Sequence, residues 1–222
     1  MRTNKILPFE WQKLSFPLIA VDEVGRGCLA GPVVAAAVLV ESGTFHFDER
    51  ITDSKKLSPV KRKELSLWIS AQCRTAIGSV SAREIDQINI HQASLLAMKK
   101  AVEGLQISQG LVLVDGKFKI PQLDLFEQIP LIKGDLRAQP IGAASIVAKV
   151  FRDEQMTALA EEFPQYGFEI HKGYATQLHR DALKAHGASL HHRQSFRGVL
   201  EEAPAGSPAG GAGRDFFNGP GL

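Results

Sequence analysis

Apolar residues in this chain fall into short continuous runs and longer spaced stripes, the two patterns that separate buried strands from amphipathic helices. Leu18-Ile19-Ala20-Val21 is a run that stops at Asp22-Glu23 and is followed by Gly25 and Gly27, as expected of a buried strand entering a turn. Gly31-Pro32 punctuates the chain before Val33 to Val40, a second buried strand close enough to the first for hairpin-like pairing. Thr75 to Val80, Leu111 to Val114 and Ile129 to Ile132 read as the third, fourth and fifth strands.

Helices are expected between these runs. Ser58-Pro59 has the form of an N-cap followed by proline in the first turn, with Leu65, Trp68 and Ile69 as the apolar stripe behind it. Ser81 and Glu84 have capping-box spacing. After a break at Ile88-Asn89-Ile90, a helix is expected with Leu95, Met98, Val102 and Leu105 as its stripe. Ala143 to Glu162 reads as a long helix, and the His-, Lys- and Arg-rich segment after Pro164 as helical in part. From Ala203 the composition turns to Ala, Gly, Pro and Ser, so residues 1–203 are expected to form one domain and 204–222 a disordered tail. Strands and helices in this order predict an α/β domain with a mixed sheet flanked by helices and ending in a helical segment.

Composition narrows the function classes. Hydrophobic residues make up 44% of the chain and charged residues 23%, enough for a core and too balanced for general disorder. The net charge of +2 does not argue for nucleic acid by itself, so a basic binding surface has to come from local clustering. Cys28 and Cys73 sit in no CxxC pattern, which disfavours a zinc site or a disulfide framework. The stretch Met1 to Phe16 has no apolar segment of signal-peptide length, and Pro32 to Val40 is too short to span a bilayer. A cytoplasmic, reducing location follows as the expectation.

The chemistry lies in the acids. Three of the strand-like runs end in carboxylates: Asp22 with Glu23, Asp115, and Asp135, each with glycine nearby. A single Asp-Gly is most simply a turn. Several acids gathered at one sheet edge repel and raise one another's pKa unless a cation joins them. Ligands that are all oxygen favour Mg²⁺ or Mn²⁺. Two such ions about 4 Å apart suit phosphodiester hydrolysis, one activating water and the other stabilising the leaving oxygen. Histidines 171, 179, 191 and 192 match no common zinc spacing, and Cys28 is read as a packing residue.

The segment Val21-Asp22-Glu23-Val24-Gly25-Arg26-Gly27-Cys28-Leu29-Ala30-Gly31-Pro32-Val33 resembles the ribonuclease HII signature DEAGRGPLAGPV. Further blocks follow in family order: Asp53 to Ser58 (DSKKLS), Glu84 to Ile90 (EID-x-INI) and Asp115-Gly116. After these come Lys133-Gly134-Asp135, Ala143 to Asp153, His171 to Tyr174 with Thr176 and His179, and His192-Arg193 with Ser195-Phe196. One block is modestly specific; the ordered set, from about Leu18 to Val199, is very specific.

The resemblance implies the ribonuclease H-like fold and an endonuclease acting on RNA–DNA hybrids and on ribonucleotide-containing duplex DNA. It implies Asp22, Glu23, Asp115 and Asp135 as catalytic, metal-binding acids for two Mn²⁺ or Mg²⁺ ions. It implies substrate contacts by Gly25, Arg26, Gly27 and Tyr174, with Lys55, Ser145 and Lys172 beside them. The turn would read the ribose 2′-OH, since glycines let a backbone approach a ligand, and the tyrosine would pack on the following deoxyribose. Read singly, Tyr174 is better explained as a core aromatic with a satisfied hydroxyl. Lys55, Lys56, Lys172 and Arg193 are candidates for phosphate contacts, or simply solvated charges. Asp153 reads as a structural residue on a helix. Two positions depart from the pattern: Val24 stands for alanine and Cys28 for proline. Val24 is a feature of the sister enzyme, ribonuclease HIII, but Arg26 is not. A monomer is expected, with no membrane partner and no protein partner named. A non-catalytic hybrid-binding module or a related-fold DNA resolvase remains the alternative.

Overall fold

The computed structural model describes residues 7–51 and 57–200. Lys55, Lys56 and most of the DSKKLS block lie outside the described residues, as does the tail at 204–222.

Five strands form one mixed sheet in the order β3-β2-β1-β4-β5: β1 Leu18–Val24, β2 Val33–Val40, β3 Thr75–Val80, β4 Leu111–Asp115 and β5 Glu127–Leu131. β1, β2 and β3 pair antiparallel, whereas β1–β4 and β4–β5 pair parallel. β2 is buried along its whole length because helices cover both faces of the sheet, which explains its unbroken apolar run. Side chains alternate across the strands. Leu18 and Ala20 of β1 join the core on one face, packed with helix α3 (Gln139–Glu162) and helix α1 (Pro59–Gln72). Ile19 and Val21 join the other core, under helix α2 (Ala82–Gly104).

Local signals explain most element boundaries. The Ser58 hydroxyl accepts from the Lys61 amide ahead of Pro59, and Ser81 and Glu84 form a complete capping box. The expected break at Ile88-Asn89-Ile90 is a kink inside α2. Asn89 adopts φ 65°, ψ 161°, and its Oδ1 accepts from the His91 and Gln92 amides, capping the second half of the helix. That half buries Ala93, Ala97 and Ala101 beside Met98 and Val102. The small face lets the helix backbone lie on β3, where a Cβ on Gly78 would stand 2.0 Å from the Ala97 carbonyl oxygen. α3 begins at Gln139, four residues before the expected start. Pro140 lies in its first turn, where no amide hydrogen is needed.

The last part of the chain wraps around the loop between β1 and β2. A helical turn at Pro164–Tyr166, α4 (Phe168–His171) and α5 (Gln177–His186) carry the basic segment. Residues 28–31 are clamped between two strand-like pieces. Cys28 pairs with Tyr174 and Ala30 with His192, while the Leu29 amide donates to the Gly173 carbonyl and the Arg193 amide to the Leu29 carbonyl.

Candidate active site

Strand register brings the first two acids together. β1 and β4 run parallel with Val21 opposite Val114, so Asp22 and Asp115 emerge side by side at the same end of the sheet. Glu23 follows on the opposite face of β1. Asp22, Glu23 and Asp115 each offer an oxygen within 4.8 Å of the others, an arrangement able to hold a cation. Asp135 is not part of that trio. It lies in the helical turn Gly134–Leu136, past the end of β5 rather than on it. It is still close enough for its charge to raise the pKa of both Asp22 and Asp115. The turn is fastened to the cluster because Asp115 Oδ1 accepts from the Gly134 amide at 2.6 Å.

Burial and mutual repulsion dominate the electrostatics. Asp22 is 5% exposed. Its pKa is pushed well above the carboxylate range by burial first, then by Glu23 and Asp115, against a hydrogen bond from the Ser145 side chain. Asp115 is raised by burial and by Asp135, opposed by the Gly134 and Asp135 amides and a hydrogen bond from Asp22. Glu23 is raised by burial, opposed by Arg26, whose Nη1 donates to Glu23 Oε1 at 3.1 Å. Three crowded carboxylates whose burial and mutual repulsion oppose ionisation are what a divalent cation relieves, and the donor set, all oxygen, suits a hard cation. These residues fit a metal site. Asp153 stands apart, accepting from Lys149 Nζ at 2.7 Å and facing Arg62 Nη1 at 3.6 Å.

The Gly25-Arg26-Gly27 turn follows β1, beside these acids, and its two glycines have different reasons. Gly25 has φ +93°, and a Cβ there would stand 2.2 Å from Arg152 Nε. Its glycine is thus required by a buried arginine inside the protein. Gly27 has no atom within 4 Å of where a Cβ would be. Nothing in the folded chain demands glycine there, which leaves the open side, where a substrate would approach.

Sequence reasoning missed what holds this turn. Arg193 was a candidate phosphate contact; instead it is wholly buried. It donates to the carbonyls of Gly25 at 2.7 Å, Arg26 at 2.9 Å and Gly31 at 3.0 Å. Arg152, equally buried, donates to the carbonyls of Ala30, Pro32 and Lys172. Guanidinium forks match fanned-out carbonyls in a way no lysine can. The sequence signal was present, because both arginines lie in the matched blocks, but an arginine reads as a surface charge until its burial is known.

Tyr174 lies next to this turn and is 41% exposed, with Lys149 Nζ 5.5 Å from its ring centre. The histidines behind it are not a metal site. Among the described residues the only acid or histidine group spaced for a cation is the trio above. The histidines form a chain of neutral rings. The Tyr174 carbonyl can only accept, so His179 Nδ1 donates to it at 3.0 Å. His179 Nε2 then accepts from His192 Nε2 at 3.0 Å, and His192 Nδ1 accepts from the Ser189 amide at 3.0 Å. Burial depresses His179 to about 4 and His192 to about 3. Lys172 donates to Thr157 Oγ1, and Ser145 is buried against Asp22.

A five-stranded mixed sheet with acids at the ends of adjacent parallel strands defines a ribonuclease H-like fold. Within that class the chain belongs to the ribonuclease HII family, whose sequence model matches residues 19–199. A ribonuclease HII from Verminephrobacter eiseniae is 50% identical over 190 residues, covering 83% of this chain and 87% of that protein. One from Vibrio vulnificus is 46% identical over 198 residues, covering 89% and 94%. The fold is similar to that of the Archaeoglobus fulgidus ribonuclease HII solved in complex with PCNA. The TM-score is 0.69 at 27% identity, over 82% of this chain and 96% of that one.

Proposed function

We propose that the chain is an endonuclease that hydrolyses the RNA strand of RNA–DNA hybrids and nicks duplex DNA on the 5′ side of a single embedded ribonucleotide. It leaves 5′-phosphate and 3′-hydroxyl ends. The observation that carries this reading is the register of β1 and β4, which sets Asp22, Glu23 and Asp115 within 4.8 Å of one another beside the exposed Gly27 turn. Family membership supports the substrate class.

In this reading Asp22, Glu23 and Asp115 hold divalent cations, Mn²⁺ or Mg²⁺, with Asp135 completing the set from its turn. When bound, two such ions activate water and stabilise the leaving oxygen. The protein does the rest. Ser145 and the Gly134 amide aim the carboxylates of Asp22 and Asp115. Arg193 ties the Gly25 and Arg26 carbonyls inward, which fixes the turn for reading a 2′-OH. Tyr174 presents its ring to the next sugar and favours deoxyribose there. Lys172, Arg26 and Lys55 steer the phosphates. A catalytic domain over residues 1–203, acting as a monomer in the cytoplasm, completes the reading. Both cysteines are free and buried, which suits a reducing compartment. No helix among the described residues is long and apolar enough to cross a membrane.

The test is cleavage of matched duplexes with and without one ribonucleotide, in Mn²⁺ and in chelator. Cutting that needs both the ribonucleotide and the metal is expected; binding without any cutting is the result of a non-catalytic module.

A further inference from the structure

The acid cluster has a second wall, on the α2 side of the sheet. Because side chains alternate along β1, Asp22 faces α3 and Ser145, whereas Glu23 faces the α2 side. There Glu23, Arg26 and Asp115 border an open cleft of about 220 Å³ that is also lined by His91, Lys117 and Phe118. Phe118 is 56% exposed. His91 meets it edge to face, with ring centres 4.8 Å apart. The kink at Asn89 positions that histidine, since Asn89 Oδ1 accepts the His91 amide. Holding Asn89 at φ 65°, ψ 161° uses a conformation that only glycine enters freely. The result is an aromatic ring standing in solvent beside two of the clustered acids, braced by a second ring, with Lys117 exposed next to it.

We propose that Phe118 and His91 form a stacking subsite for the nucleotide immediately 5′ of the scissile phosphate, with Lys117 on its phosphate. This rests on the nuclease reading, in which Tyr174 takes the sugar 3′ of the ribonucleotide. Tyr174 lies on the α3 side, under Lys149, and Phe118 lies on the α2 side. A strand that passes from Tyr174 over the acids leaves across Phe118, and that direction is 5′. An aromatic face accepts any base, so the subsite grips without reading sequence.

The experiment pairs a protein change with a substrate change on a duplex holding one ribonucleotide. Phe118→Ala is expected to raise KM about tenfold, equivalent to about 1.4 kcal/mol, with kcat falling less, and Phe118→Trp to restore it. An abasic site at the nucleotide 5′ of the cut is expected to bring the wild type down to the level of Phe118→Ala and to change Phe118→Ala little further. Additive losses from the two changes overturn the subsite. So does non-additivity seen only with an abasic site in the complementary strand, which would place that strand on the ring. A wild type that leaves the ribonucleotide uncut removes the nuclease reading itself, and the subsite with it; a wild type that cuts while Phe118→Ala matches it removes the subsite alone. Circular dichroism melts of both variants separate these losses from misfolding.

Discussion

Asp115 sits where three forces meet: burial, the charge of Asp135 and the clasp of the Gly134 amide. Asp115→Asn keeps the shape and removes the charge that would hold a cation. Cleavage is expected to fall by at least about 10²–10³-fold, the scale of losing a main electrostatic stabiliser, with folding and hybrid binding retained. Near wild-type turnover in saturating Mg²⁺ or Mn²⁺ would remove Asp115 from the site. Tyr174 gives a second prediction at this scale. Tyr174→Ala is expected to weaken cutting at a DNA–RNA junction more than it weakens binding. Tyr174→Phe is expected to keep most activity, because base or sugar packing on a ring, worth about 1–3 kcal/mol, survives loss of the hydroxyl. Equal losses in both variants would assign the role to the hydroxyl instead. Asp22, Glu23 and Asp115 were legible in the sequence because they close apolar runs, whereas Asp135 lies in a turn beyond the end of its strand. The buried arginines were not, because nothing in an isolated Arg152 or Arg193 shows that six backbone carbonyls converge on the pair.

At the scale of elements, continuous apolar runs located β1, β2, β4 and β5, and Val33–Val40 and the alternately buried Thr75–Val80 match at both ends. Where the pattern fell short, the cause was packing that periodicity does not record. The alanine face of α2 is chosen by Gly78 of β3, a partner distant in sequence. β5 stops at Leu131. The turn that carries Asp135 closes through its own backbone, the Arg137 and Ala138 amides donating to the Gly134 carbonyl. A hydrogen bond from the Gly134 amide to Asp115, a partner distant in sequence, fastens it to the acids. The histidine chain behind Tyr174 yields a pH prediction. His179 and His192, with folded values of about 4 and about 3, lie below the ordinary 6.5 because burial penalises the charged ring. Their neutral forms are favoured only in the folded state. Below pH 6.5 the unfolded chain binds protons that the folded chain refuses, so stability is full above that pH and is lost as pH falls towards 4. His192→Gln is expected to flatten the decline in unfolding free energy between pH 5.5 and 4.5 by about 1.4 kcal/mol per pH unit, one proton's worth. Denaturant titrations across that window check it, and an unchanged slope would mean that His192 is protonated in the fold.

For the whole molecule, sheet, turn and histidine-backed tyrosine converge on one edge, and the acids there carry a stability cost. Asp22 is raised by burial and by its neighbours, so above its folded pKa the ionised form works against folding unless a cation joins it. In chelator at pH 7, Asp22→Asn is expected to raise the melting temperature by about 2–4 °C per kcal/mol of relieved repulsion. Adding Mn²⁺ is expected to raise that of the wild type and to leave that of the variant nearly unchanged. Equal metal responses would move the cation elsewhere.

The central claim is that water, not the ribose 2′-OH, is the group that would attack the phosphate 5′ of a ribonucleotide, at a site where Asp22, Glu23 and Asp115 would hold the cation. Mapping both ends of the nicked strand after cutting a duplex with one ribonucleotide tests it most directly. The predicted result is a 3′-hydroxyl on the upstream piece and a 5′-phosphate on the fragment that begins with the ribonucleotide. A 2′,3′-cyclic phosphate on the upstream piece, with the cut on the 3′ side of the ribonucleotide, would contradict it.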